Sequence, residues 1–243
     1  MTEIAIKVDH VSVSYLLHKN ISLKTIFKKD SISESFQALK DVSFEVPKGS
    51  ILGIVGKNGS GKSTLLRTIG GIFCANEGSV ELYGNKVCLL SIGVGFNERL
   101  TGRENIILSG LLTGYTRTEI DERIDKIIDF SEIREFIDQP VRTYSSGMYS
   151  KLAFSVSSEL NTDILLIDEV LAVGDEHFAK KSYSRMKELI RDKNHTVIIV
   201  SHNLDTLREL CEQVLWLQDG VVKEFGITSN VLERYCKYMG DNT

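Results

Sequence analysis

The stretch Gly56-Lys-Asn-Gly-Ser-Gly-Lys-Ser-Thr64 limits what this chain can be more than any other part of it. It fits the pattern G-x-x-x-x-G-K-[ST]. It follows the apolar run Ile51-Leu-Gly-Ile-Val55 and precedes Leu65-Leu-Arg-Thr-Ile69, so strand, glycine loop and helix come in the order a phosphate cradle needs. Gly56, Gly59 and Gly61 let successive backbone amides turn inward around an anion, and the helix adds the positive end of its dipole. Lys62 is expected to reach the β- and γ-phosphates, and Ser63 to offer its hydroxyl to Mg²⁺. Lys57, Asn58, Ser60 and Thr64 complete the candidate nucleotide-binding loop.

A chain of 243 residues has room for one large α/β domain or two small ones. With 42% apolar and 26% charged residues it reads as an ordinary soluble globular protein, and a net charge of −4 gives no reason to expect nucleic acid as a partner. Cys74, Cys88, Cys211 and Cys236 are scattered without a C-x-x-C pair, so neither a disulfide frame nor a metal site is expected. The first residues lack a secretory profile. No apolar run approaches the roughly 18–20 residues that span a bilayer. A role at a membrane would need another polypeptide to supply the spanning part.

Alternation of apolar and polar residues over 4–15, and at Val42, Phe44 and Val46, predicts strands. Val80-Glu-Leu-Tyr-Gly-Asn85 reads as a strand and a turn. Residues 103–139 are mostly helical by period, with Thr116 or Thr118 as cap ahead of Glu119 and Asp121. Ile164–Ile167 and Thr196–Val200 are short continuous apolar runs, the mark of buried parallel strands, with helices at 148–160 and 176–191 between and around them. Val214–Leu217, Asp219-Gly220 and Val221–Phe225 predict a hairpin, and a last helix is expected near 228–239. Between Tyr15 and Ala38 the strand pattern lapses. There Ile21, Leu23, Ile26 and Phe27 share one helical face flanked by lysines. Two readings stay open for it: a basic amphipathic helix at a membrane surface or partner, or a solvated insertion packed on its own domain.

Ile164-Leu-Leu-Ile-Asp-Glu169 sets two carboxylates at the C-terminal end of a buried strand, where ligands bind in an open parallel sheet. Asp168 suits Mg²⁺ beside Ser63, and Glu169 suits the general base that orients an attacking water. At the end of the next strand, His202 can donate a hydrogen bond to a γ-phosphate. Tyr144-Ser-Ser-Gly-Met148 opens a helix with serine hydroxyls and a glycine amide, a second anion site. One nucleotide already has its own loop, so Ser145 and Gly147 read either as the contact to a nucleotide held by a second copy or as the start of an ordinary serine-capped helix.

Taken together these motifs resemble the nucleotide-binding subunit of an ABC transporter over nearly the whole chain. Residues 56–64 are similar to its Walker A loop, 144–148 to its signature, and 164–169 to Walker B. Asp175 falls at the D-loop aspartate, His202 at the switch histidine, and Tyr15 where the family has an aromatic that stacks on adenine. The resemblance implies an α/β P-loop NTPase fold: a mostly parallel core sheet, an N-terminal antiparallel β subdomain and a helical subdomain near 92–160. It would form a single domain over 1–243, with an inserted segment near 16–37. It implies ATP and Mg²⁺ as ligands, a homodimer, and an integral membrane permease in two copies, with the chain peripheral at the cytoplasmic face of the cell membrane.

Residues 95–105, 144–148 and 168–175 are further similar to exporters of O-antigen, capsule or teichoic acid. Ending at Thr243, the chain resembles the compact type without an added carbohydrate-binding domain. Ser146 and Met148 depart from the glycine and glutamine frequent in the signature. No glutamine stands between Ser91 and Arg103 where the family's Q-loop has one, and Asn97 is left without that role. An importer subunit shares the same ATPase parts, but residues 91–105 and 168–175 argue against it. A DNA-repair or translation ATPase would need a long coiled coil or a second nucleotide domain, and a GTPase would carry N-K-x-D.

Overall fold

A computed structural model of the chain describes residues 3–17, 34–90, 95–160, 162–168 and 174–240. The first strand, β1 (Ile4–Leu17), pairs antiparallel with β2 (Glu34–Pro47) on one edge, and a third strand, β4 (Glu77–Glu81), pairs antiparallel with its other edge. A second sheet is built from β3 (Ile51–Val55), β5 (Val87–Leu90), β6 (Ile164–Asp168), β7 (Thr196–Val200), β8 (Gln213–Gln218) and β9 (Val221–Ile227), in the order β5-β6-β7-β3-β8-β9. The pairs from β5 to β8 are parallel and β9 closes one edge antiparallel, as the Asp219-Gly220 turn requires. Both turn residues have positive φ, 52° and 84°, which matches the twist of the strands they join.

The unbroken apolar runs are explained by burial on both faces. Ile164 and Leu166 of β6 and Ile198 and Val200 of β7 pack with Ile6, Leu39, Leu52 and Leu65 in a core between the two sheets. Their neighbours Leu165, Ile167, Val197 and Ile199 face the opposite layer with Met186, Ile190, Leu207 and Leu232. Each such buried side chain contributes about 1.5–3 kcal/mol, so a strand of this kind has no polar position to spare.

Eight α-helices are described. α1 (Lys62–Ile69) follows the glycine loop. α2 (Gly102–Leu112), α3 (Arg117–Asp121), α4 (Ile124–Ser131) and α5 (Ser146–Glu159) form a separate apolar centre around Ile106, Ile120, Ile127, Ile128 and Leu152. α6 (Glu176–Arg191), α7 (Leu204–Leu210) and α8 (Thr228–Gly240) cover the second sheet. Thr116, not Thr118, caps α3, in a reciprocal box with Glu119. Thr101 and Glu104 form the same box at α2, a T-x-x-E signal that was present in the sequence.

Both ends of the span 16–37, read from the sequence as an insertion, are strand. Leu16 pairs with Ser35 and Leu17 with Glu34, so the β1–β2 ladder runs into it. The amphipathic stretch carrying Ile21, Leu23, Ile26 and Phe27 lies outside the described residues. Cys88 and Cys211 are buried, and burial pushes their thiols up to about 11 and about 12, while Cys74 is exposed.

Candidate functional site

β3 ends at Val55 in the middle of the parallel sheet, and the loop after it wraps back over the strand ends. Two close approaches fix that wrap. A Cβ on Gly56 would stand 2.2 Å from the Leu217 carbonyl oxygen, and one on Gly61 would stand 2.6 Å from that of Ala38. The β8–β9 turn holds the loop from outside, since the Gly220 amide donates to the Ser60 carbonyl at 3.1 Å. Gly61, with φ 104°, is the N-cap of α1 and supplies no side-chain cap, so the first turn of the helix presents its amide end to the loop.

A cavity of about 270 Å³ opens there. Asn58, Gly59, Gly61, Lys62, Ser63 and Thr64 form its floor, Asp168 stands at the end of β6, His202 follows β7, and Tyr15 and Phe36 form a wall from β1 and β2. Lys62 is only 7% exposed, and its ammonium donates to the Gly56 and Lys57 carbonyls at 2.7 and 3.0 Å. The charge is therefore set inside the loop before any anion arrives. The Tyr15 hydroxyl lies 3.1 Å from Thr64 Oγ1. Gly56 and Ser60 form the underside of the loop, and the Lys57 ammonium turns away to sit 4.8 Å over the Tyr238 ring of α8.

His202 is placed by a short capped connection. The Asn203 amide donates to Ser201 Oγ, and the Asn203 side chain accepts from the amides of Asp205 and Thr206 to start α7. That helix was not expected from the sequence, although Asn203 ahead of Leu204 and Leu207 is a capping signal. Ser63 and Asp168 bring a hydroxyl and a carboxylate to one cavity, a hard oxygen pair of the kind that suits Mg²⁺. Glu169 lies outside the described residues.

Ser145 and Gly147 do not line this cavity. Ser145 is exposed at the N-cap of α5, where its hydroxyl accepts from the Met148 amide at 3.2 Å. Asp175 caps α6, accepting from the Phe178 amide at 2.9 Å, and pairs with Lys151 of α5 at 2.6 Å. The Lys151 ammonium, helped by that amide, holds the Asp175 carboxyl down to about 2. Lys151 also meets Glu132, which meets Lys181 of α6, and Phe130, Phe154 and Phe178 pack ring against ring alongside. Helices α5 and α6 are thus joined by charge and by an aromatic cluster, a link the sequence did not reveal.

Asn97 spends its side-chain oxygen on the Arg99 amide at 3.0 Å, a local turn. The fully buried Asn105 organises the same segment, donating to the carbonyls of Asn97, Leu100 and Thr101.

Comparison with known proteins agrees with this geometry. The family described as ABC transporter matches residues 39–172. The O-antigen export system ATP-binding protein RfbB of Myxococcus xanthus is 48% identical over 198 residues, 82% of this chain and 45% of that protein. The teichoic acids export ATP-binding protein TagH of Bacillus anthracis is 44% identical over 236 residues, 96% of this chain and 43% of that protein. The chain therefore spans just under half the length of these two curated relatives. Among solved structures, a dimeric post-hydrolysis state of the ATP-binding cassette MJ0796 bound to ADP and Pi superposes with a TM-score of 0.69 at 22% identity, covering 92% of this chain and 98% of that one. Motif order, sheet topology and relatives converge: the chain belongs to the ABC transporter family.

Proposed function

We propose that two copies of this chain bind two ATP molecules head to tail and, through a separate membrane permease, power export of a lipid-linked polysaccharide. The observation that carries the two-copy reading is the split between sites. Lys62, Ser63, Asp168 and His202 converge on one cavity, whereas Ser145 and Gly147 sit on an exposed helix start away from it.

In each site Lys62 neutralises the β- and γ-phosphates, and the backbone amides of 57–64 cradle them. Ser63 and Asp168 would hold Mg²⁺, which supplies charge neutralisation at the phosphate oxygens. Glu169 orients a water and accepts its proton as that water bonds to the γ-phosphorus, while the bond to the β–γ bridging oxygen breaks and leaves ADP and phosphate. His202 donates to the γ-phosphate, and Ser145 and Gly147 of the second copy close over it. Tyr15 belongs to the base end of the pocket, and Asp175 sits beside the second copy's nucleotide. Loss of the γ-phosphate contacts lets the copies part, and that motion drives the permease. Peripheral binding at the cytoplasmic face follows from this arrangement.

Glu169→Gln should retain ATP binding and run as a dimer in MgATP on size exclusion with light scattering, with little turnover. Near-native turnover would remove Glu169 from its role. The printed functions of the relatives divide between O-antigen and teichoic acid export. Cells lacking this protein should accumulate lipid-linked glycan internally; normal surface glycan in such cells would overturn every export reading, capsule and teichoic acid included, and leave the importer, tested by which solute fails to enter.

A further inference from the structure

We infer that Tyr238 of α8 is a positioning residue for the phosphate loop. Its ring holds the Lys57 ammonium on the outer side of the loop and so fixes a peptide on which the Lys62 charge rests. This deepens the reading of the cavity as an ATP site and rests on it.

Gly56, Gly59 and Gly61 shape the loop and leave it little stiffness of its own. Two of its residues are held from the sheet: Gly56 lies against the Leu217 carbonyl, and Ser60 accepts from the Gly220 amide. Lys57 and Asn58 lie between these holds, and both are exposed. The third hold comes from outside the sheet. The Lys57 ammonium sits 4.8 Å from the centroid of the Tyr238 ring, where the ring quadrupole attracts a cation.

The helix that supplies this ring is itself anchored at the root of the loop. Tyr238 stands in the last turn of α8, half-buried, with its ring 5.1 Å from that of Trp216. Tyr235 meets the same indole edge-on at 5.5 Å and 76°. Trp216 is 5% exposed and is the β8 partner of Val55, the residue immediately before Gly56. Tyr238 therefore reaches Lys57 from a base packed on the strand end where the loop begins. The Lys57 carbonyl in turn accepts from the Lys62 ammonium at 3.0 Å, so the hold on Lys57 is passed to the cation on the cavity floor. A loop fixed in this way has less freedom to lose when phosphates enter, and the difference appears as affinity. The contact acts on the phosphate end alone, so a polyphosphate with or without a base gains equally.

The test uses the full chain in calorimetry, with ADP and Mg²⁺ as one ligand, inorganic tripolyphosphate as another, and Lys62→Ala as the site control. Tyr238→Leu keeps an apolar side chain beside Trp216 and should weaken both ligands by the same factor, roughly 2- to 5-fold, the loss of one exposed cation–π contact. Lys57→Met tests the same contact from an exposed position without touching α8, and should weaken both ligands by that factor again. The double variant should bind no worse than either single one, the mark of two groups acting through one contact. Tyr238→Phe and Lys57→Arg should each bind as the native chain does, because ring and charge are both kept. In turnover, Tyr238→Leu should raise the KM for ATP with kcat largely kept. Trp216 is the chain's single tryptophan, so its emission should change when ADP binds the native chain and respond less in Lys57→Met. Native affinity in Tyr238→Leu, additive losses in the double variant, weak binding in Tyr238→Phe, or an undiminished emission change in Lys57→Met would each overturn the proposal. If the native chain binds no ADP, or Lys62→Ala binds it equally well, the ATP site itself fails and the role of Tyr238 falls with it. With ADP bound and Lys62→Ala deficient, the other outcomes bear on Tyr238 alone.

Discussion

Lys62→Ala and Ser145→Arg should each be inactive alone, and mixing them should restore about a quarter of native ATP turnover, the yield of random pairing into a two-fold dimer with one intact site in each mixed pair. The reason lies in where the two side chains sit. Lys62 donates to Gly56 and Lys57 from inside the loop, and its loss removes the one ammonium on the cavity floor among the described residues. Removal of one such preorganised donor costs about 100- to 1000-fold in rate. Ser145 is exposed and outside that cavity, so arginine there leaves the chain's own loop intact and blocks only the approach of a second copy. Loss of the cap costs α5 about 1 kcal/mol, small enough for the variant to fold. A mixed dimer then pairs the intact loop of the Ser145→Arg copy with the intact helix start of the Lys62→Ala copy. Steady-state phosphate release checks the result. No recovery on mixing, with each variant still folded and the Ser145→Arg chain still binding ATP, would mean that each chain completes its site alone.

Gly56→Ala should unfold at a temperature lower by roughly 10 °C, from a penalty of about 3 kcal/mol in a domain of this size. The added methyl would lie 2.2 Å from the Leu217 carbonyl oxygen and 2.5 Å from Ser60 Oγ. Leu217 belongs to β8, which is hydrogen-bonded to β3 on one side and β9 on the other, so its backbone cannot retreat. Gly59 provides the comparison. It also has positive φ, 80°, but a Cβ there meets nothing within 4 Å. Gly59→Ala therefore carries only the left-handed backbone cost of about 1–2 kcal/mol. Differential scanning calorimetry of the two variants settles the matter: a Gly56→Ala transition no lower than that of Gly59→Ala would show that the loop is not wedged against β8.

The parts legible in the sequence were those with a local cause. The glycine loop announces itself through residue type and spacing. Buried parallel strands show as unbroken apolar runs, because both faces of β6 and β7 are covered. The Asp219-Gly220 hairpin and the Thr116 cap follow from turn and cap chemistry. What stayed hidden depends on partners distant in sequence. β5 is four residues long and is a strand because β6 pairs with it. The Lys151–Asp175 pair joins residues on different helices, and neither residue's neighbours forecast it. Phe36 escaped notice because the strand pattern was read as lapsing before Ala38, whereas the ladder with β1 begins at Glu34. Asn97, left without the missing glutamine's role by the sequence, closes a local turn by accepting from the Arg99 amide.

The bond between Lys151 and Asp175 has one more effect once two chains face each other. In the proposed pair, the serine offered to a neighbour rides on the same piece as the helix that follows β6 of its own chain. Shutting one chamber therefore shifts the α6 start beside the other, although each chamber keeps its own complete set of reacting groups.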